Sequence, residues 1–189
     1  MPVDPTSIAT WANLVTVGRM FVSPIMFIVI PDSRAGSWVA FLAWFVLCAS
    51  DGIDGFLARR HGSTNFGAFL DPLADKFLVL LAMITLIDRH VFWWLPVAII
   101  FARELTMSMY RVFVGTRGVS VPATKIAKIK TIAQQFAVAF AIAPITALDA
   151  TWLWKSVLWL AVTLTMISFL QYMWRAHRHN SAVRVSNAS

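Results

Sequence analysis

The sequence contains very little cysteine and very little charge. Cys48 is the only cysteine among 189 residues, so no disulfide can form within the chain. Charged residues make up 13% of the sequence, against roughly 25% in soluble domains. Hydrophobic residues reach 59%, and the mean hydropathy is +0.71. This composition excludes an ordinary soluble globule and predicts a polytopic membrane protein.

Acidic residues are the scarcer of the two charge types. Nine aspartates and glutamates stand against sixteen lysines and arginines, which gives a net charge of +7. The basic residues lie between apolar stretches rather than in one polar region, which argues against binding to nucleic acid. The excess is typical of a protein that meets anionic lipid headgroups and phosphate-bearing substrates.

Long apolar segments fill most of the chain. Six have the length of a membrane-spanning helix, and open sheet edges cannot be accommodated in lipid. The sequence therefore predicts an all-α polytopic membrane protein with six transmembrane helices. These lie at about residues 13–30, 38–58, 66–87, 91–114, 126–147 and 152–174. We expect a single transmembrane domain over residues 1–180 and a flexible polar tail over residues 181–189.

The basic residues are distributed unevenly between the two sets of connections. Arg34, Arg89 and Lys155 fall on one side. The other side holds Arg59, Arg60, Arg111, Arg117, Lys125, Lys128, Arg175, Arg178 and Arg184. The positive-inside rule then places both termini and the turn between spans two and three in the cytoplasm. This predicts a multi-pass protein of the inner (plasma) membrane, with the functional residues of that turn facing the cytoplasm.

Four of the nine acidic residues lie within 25 residues of sequence, as Asp51, Asp54, Asp71 and Asp75. A carboxylate in a membrane-spanning helix costs roughly 2.5–3.5 kcal/mol, so four together require a compensating charge. Asp51 and Asp54 are three residues apart, and Asp71 and Asp75 are four apart, so each pair shares a helix face. Carboxylate oxygens without histidine or cysteine favour Mg²⁺ or Mn²⁺. Four of them suit two ions about 3.5–4 Å apart, as in phosphoryl transfer.

Small residues accompany the aspartates. Glycine in a helix costs about 1 kcal/mol relative to alanine, but it lets a ligand or another helix approach the backbone. Gly52, Gly55 and Gly67 could therefore serve tight helix packing or a ligand. Their interleaving with four aspartates favours a ligand. Ala58 continues the same surface, and Arg59 can form a bidentate contact with a phosphate.

The complete pattern is Asp51-x-x-Asp54-Gly55-x-x-Ala58-Arg59, followed by Gly67-x-x-x-Asp71-x-x-x-Asp75. It closely resembles the signature of the CDP-alcohol phosphotransferases. These integral membrane enzymes move a phosphatidyl or similar group from a CDP-linked donor to an alcohol and release CMP. Seven residues separate Arg59 from Gly67 in this chain, where the family usually has eight or slightly more.

The resemblance implies a role for each residue of the pattern. Two divalent cations, Mg²⁺ or Mn²⁺, would be held by Asp51, Asp54, Asp71 and Asp75. Asp75 would also be the general base toward the acceptor hydroxyl. The cytidine diphosphate would be seated by Gly55, Ala58, Arg59 and Gly67. The resemblance also implies a homodimer.

A second group of charged residues lies in and after the fourth apolar segment. Arg103, Arg111, Lys128 and Lys130 are candidates for a basic pocket that binds the phosphate of an acceptor alcohol. Alternatively, Arg103 and Glu104 pair for structural reasons, and the lysines extend to the membrane interface. This region resembles the corresponding part of the bacterial phosphatidylglycerophosphate synthases, a branch of the same family, although Ala127 replaces their usual glycine. That resemblance implies CDP-diacylglycerol as donor and glycerol 3-phosphate as acceptor.

Three other functions fit part of the pattern. Cardiolipin synthase of the same fold would use phosphatidylglycerol as acceptor, and phosphatidylinositol-phosphate synthase would use inositol phosphate. A divalent-cation or proton-coupled transporter would also carry aspartates in its membrane spans. Transport predicts acidic residues spread over several spans and depths, whereas here they lie in one hairpin beside Gly55, Ala58 and Arg59.

Overall fold

The protein was examined as a computed structural model. It describes the backbone of residues 17–18, 20–61, 65–115 and 125–186, and the side chains of residues 17–18, 20–50, 76–110, 126 and 128–174. Every regular element in these residues is a helix, which confirms the predicted all-α fold. The helices are α1 (Ile25–Val29), α2 (Trp38–His61), α3 (Asn65–Asp88), α4 (Trp94–Gly115), α5 (Lys125–Ile142), α6 (Pro144–Ala147) and α7 (Thr151–Ser186).

The second, third and fourth predicted segments correspond closely to α2, α3 and α4, whereas prolines interrupt the first and fifth segments. Residues 20–22 are helical, and a turn at Ser23 and Pro24 then separates them from α1. Pro144 has no amide hydrogen to continue the α5 ladder, so α5 ends at Ile142 and Pro144 begins α6. The prediction of one uninterrupted helix over 126–147 was therefore wrong.

The last helix is longer than its apolar segment. The predicted span ended at residue 174, whereas α7 continues to Ser186 and includes most of the predicted tail at 181–189. Nothing in the sequence after Trp174 interrupts the helix, because the tail lacks proline and glycine. The helix therefore continues for twelve residues beyond the end of its apolar segment at Trp174.

Within the described residues, one helix is long and apolar enough to cross a membrane, Thr151–Trp174. Two further apolar helices, Met20–Val29 and Trp38–Ser50, are shorter. The presence of six membrane-spanning helices therefore stays a prediction.

Helix α5 lies at the centre of the packing, in contact with α2, α3, α6 and α7. Its buried face carries Ala133, Ala137 and Ala141 at intervals of four residues. Such small side chains let neighbouring helices approach closely. The contact between α5 and α7 is the most extensive in the described structure.

Helix α7 turns a narrow stripe toward these neighbours. Six of its buried residues alternate at intervals of four and three residues, the spacing of a helix seam, and Val162 adjoins them. The six are Trp154, Leu158, Ala161, Thr165, Ser168 and Tyr172. Three of the six carry a hydroxyl group, and the opposite face exposes Trp159, Leu160 and Leu170. The exposed face of this helix therefore carries large apolar side chains, as its buried face does.

Several connections meet at one end of the molecule. Arg89, after α3, contacts Asp32 before α2, and its Nη2 donates a hydrogen bond to the Phe27 carbonyl at 3.0 Å. The Ser37 amide donates to the carbonyl of Ile142, at the end of α5, at 2.9 Å. The turns after α1, α3 and α5 therefore share this end, as alternating helix directions require.

Candidate active site

The four aspartates lie on two consecutive helices. Asp51 and Asp54 belong to the second half of α2, and Asp71 and Asp75 to the first half of α3. The predicted nucleotide residues Gly55, Ala58, Arg59 and Gly67 are on the same two helices. The side chains of all eight lie outside the described residues, so their arrangement stays a prediction. Among the side chains that are described, no three of the His, Cys, Asp and Glu type come together in a way that could hold a metal ion.

A buried group of charged side chains lies between α3, α4 and α5. We call it the Glu104 cluster, and it consists of Lys76, Arg103, Glu104 and Lys130. Glu104 is its centre. Its Oε1 atom accepts hydrogen bonds from Arg103 Nη1 at 3.0 Å and from Lys130 Nζ. Its Oε2 atom lies 3.5 Å from Lys76 Nζ.

Three of the four members of the Glu104 cluster are removed from solvent, whereas Lys76 is partly exposed. Arg103, Glu104 and Lys130 are between 4% and 7% exposed. Ions in such a place are costly unless they pair and their hydrogen-bonding groups find partners. By formal charge, the four described residues comprise three cations and one carboxylate. Basic groups gathered in this way are suited to binding an anion.

Hydroxyl groups complete the hydrogen bonds around the cluster. Ser168 of α7 accepts from Arg103 Nη2 at 2.7 Å, and Ser108 of α4 accepts from Lys76 Nζ at 2.7 Å. One turn from Ser168, Thr165 accepts from Gln134 Nε2 of α5 at 3.3 Å. Ser168 and Thr165 of the α7 seam therefore face polar groups of α4 and α5.

Among the side chains that it describes, the structure brings two of the four candidate acceptor residues together. Arg103 and Lys130 come together on Glu104, whereas Lys128 lies on the exposed face of α5. Arg111 belongs to α4, but its side chain lies outside the described residues. The alternative of a structural pair between Arg103 and Glu104 describes the observed contact correctly, although the pair is part of a larger cluster.

Sequence reasoning missed Lys76, Ser108 and Ser168 as members of the site. Lys76 could have been noticed because it directly follows Asp75 on a helix that is otherwise apolar. Thr165 and Ser168 are three residues apart in the apolar segment Thr151–Trp174, which is a weak signal of a polar partner inside the bundle. Ser108 carries no local signal.

Comparisons with known proteins give a consistent result. The sequence profile of the family described as CDP-alcohol phosphatidyltransferase matches residues 9–167. The chain is 36% identical to the CDP-diacylglycerol–glycerol-3-phosphate 3-phosphatidyltransferase of Escherichia coli K12, over 85% of this chain and 91% of that protein. The proteins of the same name from Escherichia coli O157:H7 and Shigella flexneri serotype 5b give the same identity and coverage.

Proposed function

This chain belongs to the CDP-alcohol phosphatidyltransferase family, and we propose that it transfers a phosphatidyl group from CDP-diacylglycerol to glycerol 3-phosphate. The products are phosphatidylglycerophosphate and CMP, and the reaction is a step of phospholipid biosynthesis. One observation carries the proposal. The similarity to the named transferases extends over 85% of the chain rather than over one motif. The family match at residues 9–167 includes the aspartate pattern and the Glu104 cluster.

The donor site is proposed on α2 and α3. Gly55, Ala58, Arg59 and Gly67 would seat the cytidine diphosphate, with Arg59 on a phosphate. Asp51, Asp54, Asp71 and Asp75 would hold two Mg²⁺ or Mn²⁺ ions, and an oxygen-only donor set of this kind fits such cations. When bound, divalent cations neutralise the pyrophosphate and stabilise the departing CMP. Asp75 would accept the proton of the acceptor hydroxyl as that oxygen attacks phosphorus.

The acceptor site is proposed beside the Glu104 cluster. Arg103, Arg111, Lys128 and Lys130 would hold the phosphate of glycerol 3-phosphate. The convergence of Arg103 and Lys130 on one carboxylate supports this role, because it brings two basic groups together for a phosphate monoester, which is strongly anionic at neutral pH. Arginine adds a bidentate contact that fixes the orientation of the phosphate.

We further propose that the protein is a multi-pass protein of the inner (plasma) membrane, with six spans, a cytoplasmic active site and a homodimeric assembly. The domain would comprise residues 1–180. Large apolar side chains are exposed along α2, α5 and α7 while charged groups are buried, which supports a lipid environment. Examples are Phe45 at 62%, Phe136 at 51% and Leu170 at 62% exposure.

The experiment is a comparison of acceptors with the purified protein. CMP release from CDP-diacylglycerol is measured with Mg²⁺ or Mn²⁺ and either glycerol 3-phosphate, inositol phosphate or phosphatidylglycerol. We expect glycerol 3-phosphate to give the highest kcat/KM. A higher value for phosphatidylglycerol or inositol phosphate would assign the chain to another reaction of the family. Absence of CMP release with every acceptor would contradict the transferase function.

The phosphate contact is tested in the same assay with Arg111→Ala. Loss of one charge-assisted contact costs about 1.5–3 kcal/mol, so we expect KM for glycerol 3-phosphate to rise roughly tenfold to more than a hundredfold. KM for CDP-diacylglycerol should change little. An unchanged KM for glycerol 3-phosphate would place the acceptor phosphate away from Arg111.

A further inference from the structure

Glu104 uses its two carboxylate oxygens for different neighbours. Oε1 accepts from Arg103 and Lys130, which the proposed function places at the acceptor phosphate. Oε2 lies 3.5 Å from Lys76 Nζ on α3. Glu104 of α4 therefore contacts both the basic residues of the proposed acceptor site and α3, the helix that carries Asp71 and Asp75.

Lys76 is fixed to α4 at two points. Besides the contact with Glu104, its Nζ atom donates a hydrogen bond to Ser108 Oγ at 2.7 Å. Glu104 and Ser108 are four residues apart, so they lie on the same face of α4. Lys76 directly follows Asp75, the proposed general base. The position of α3 at this base is thus connected to the carboxylate that holds Lys130.

We propose that Glu104 is a positioning residue of the transfer reaction, which fixes Arg103 and Lys130 for the acceptor phosphate and connects them through Lys76 to the helix of Asp75. This inference rests on the proposed function. Without the carboxylate, Lys76, Arg103 and Lys130 would lose the group that joins them, and the acceptor phosphate would be bound in a different place relative to Asp75. Misplacement of a reacting group by about 1 Å can cost on the order of a hundredfold in rate.

A simpler role for Glu104 would be that of a counter-ion, needed only to make buried positive charge tolerable. The two roles differ when one cation is removed together with the carboxylate. The pair Lys76→Met and Glu104→Gln leaves the net formal charge unchanged, because it removes one charge of each sign. If Glu104 only balances charge, the double variant should keep the wild-type KM for glycerol 3-phosphate; if Glu104 is a positioning residue, that KM should rise.

The experiment compares Glu104→Gln, Glu104→Asp, Lys76→Met and the double variant, each as the full-length protein in detergent. Thermal unfolding is recorded for each, together with kcat and the two KM values for CMP release from CDP-diacylglycerol and glycerol 3-phosphate. Asp32→Asn is the matched control, since it removes a carboxylate that pairs with Arg89 at the other end of the molecule.

We expect Glu104→Gln to raise KM for glycerol 3-phosphate by at least about tenfold, the effect of losing one charged hydrogen bond. KM for CDP-diacylglycerol should stay within about twofold of wild type, and the same split should persist in the double variant even when its thermal stability returns. Glu104→Asp should raise KM for glycerol 3-phosphate by less, because the aspartate keeps the negative charge but its side chain is shorter by one methylene group.

Lys76→Met should lower kcat with little change in KM for glycerol 3-phosphate. Asp32→Asn should leave kcat and both KM values unchanged.

Two results would overturn the inference. The first is a wild-type KM for glycerol 3-phosphate in the double variant, which would make Glu104 a counter-ion only. The second is an unchanged KM for glycerol 3-phosphate in folded Glu104→Asp, which decides the matter if the variants that carry Glu104→Gln do not fold. Failure of the proposed function looks different, because the wild-type protein itself would then release no CMP with glycerol 3-phosphate.

Discussion

Asp51 and Asp149 are both aspartates, but the sequence gives them different surroundings. Asp51 belongs to the four-aspartate pattern, whereas Asp149 is an exposed residue between α6 and α7. We expect Asp51→Asn to lower CMP release more than a hundredfold, because loss of one ligand disturbs both proposed cations. The protein should still insert into the membrane and purify. Asp149→Asn should retain full activity.

The measurement is CMP release over a titration of Mg²⁺ or Mn²⁺. Excess EDTA should stop the wild-type reaction, and added cation should restore it. Undiminished turnover in EDTA would contradict the assignment of Asp51, Asp54, Asp71 and Asp75 as metal ligands.

Gly36 has a structural role that can be separated from function. Its φ angle of +74° is in the left-handed region, and an added Cβ would lie 2.6 Å from the carbonyl oxygen of Ile142. Gly36→Ala should therefore destabilise the protein by about 2–3 kcal/mol through backbone strain and steric clash. Thermal unfolding in detergent measures the effect. Gly18→Ala is the control, because Gly18 is helical and its added Cβ would meet nothing within 4 Å. A melting temperature equally unaffected in both variants would contradict the close approach at Gly36.

At the scale of whole elements, the helices were largely predictable and their interruptions were not. Uninterrupted apolar segments define α2 and α3 well, because a backbone in lipid must satisfy its hydrogen bonds internally. Pro24 and Pro144 were visible in the sequence, but proline is also tolerated within transmembrane helices. Only the tertiary contacts show that the chain turns at these two positions. The extension of α7 to Ser186 was missed because hydropathy reports the membrane segment and not the end of the helix.

The packing of α5 gives a prediction for this helix. Ala137 is fully buried on the face that carries Ala133 and Ala141, where the helices approach closely. Ala137→Leu adds volume that the well-packed core cannot accept, and overpacking typically costs about 1–3 kcal/mol. We expect a lower melting temperature in detergent. Ala102→Leu makes the same change at an exposed position of α4 and should leave the melting temperature almost unchanged. Equal effects in the two variants would show that α5 does not pack tightly through its small residues.

At the scale of the whole molecule, the sequence predicts a candidate site but not its internal connections. The aspartates were identifiable because four carboxylates in apolar helices are costly and their spacing forms a pattern. The Glu104 cluster was only half predicted. Arg103 and Lys130 were selected as charges in apolar segments, whereas their convergence on Glu104 depends on how α4 and α5 cross. Lys76 and Ser168 join the site through the same tertiary packing, which no local periodicity records.

Orientation in the membrane is a property of the whole molecule and can be tested at its two ends. The exposed Ala35 lies between α1 and α2, at the end where Arg89 and Ile142 also make contacts. Ser63 lies in the connection between the two aspartate-bearing helices, outside the described residues. Alternate ends of antiparallel helices face opposite sides of a membrane, and the positive-inside rule assigns the Ser63 end to the cytoplasm. That assignment also gives the proposed acceptor site access to cytoplasmic glycerol 3-phosphate.

Single cysteines at these positions, in a Cys48→Ser background, should therefore respond differently to a membrane-impermeant thiol reagent. In intact bacterial spheroplasts we expect labelling of Ala35→Cys and none of Ser63→Cys. After lysis both should react, which shows that the Ser63→Cys thiol is accessible and not merely buried. Both variants should release CMP at rates near wild type, so that the labelled protein is the active one. Labelling of Ser63→Cys in intact spheroplasts, with protection of Ala35→Cys, would reverse the topology. The four aspartates would then lie on the side of the membrane opposite the cytoplasm. Glycerol 3-phosphate would have to be exported to that side before it could react.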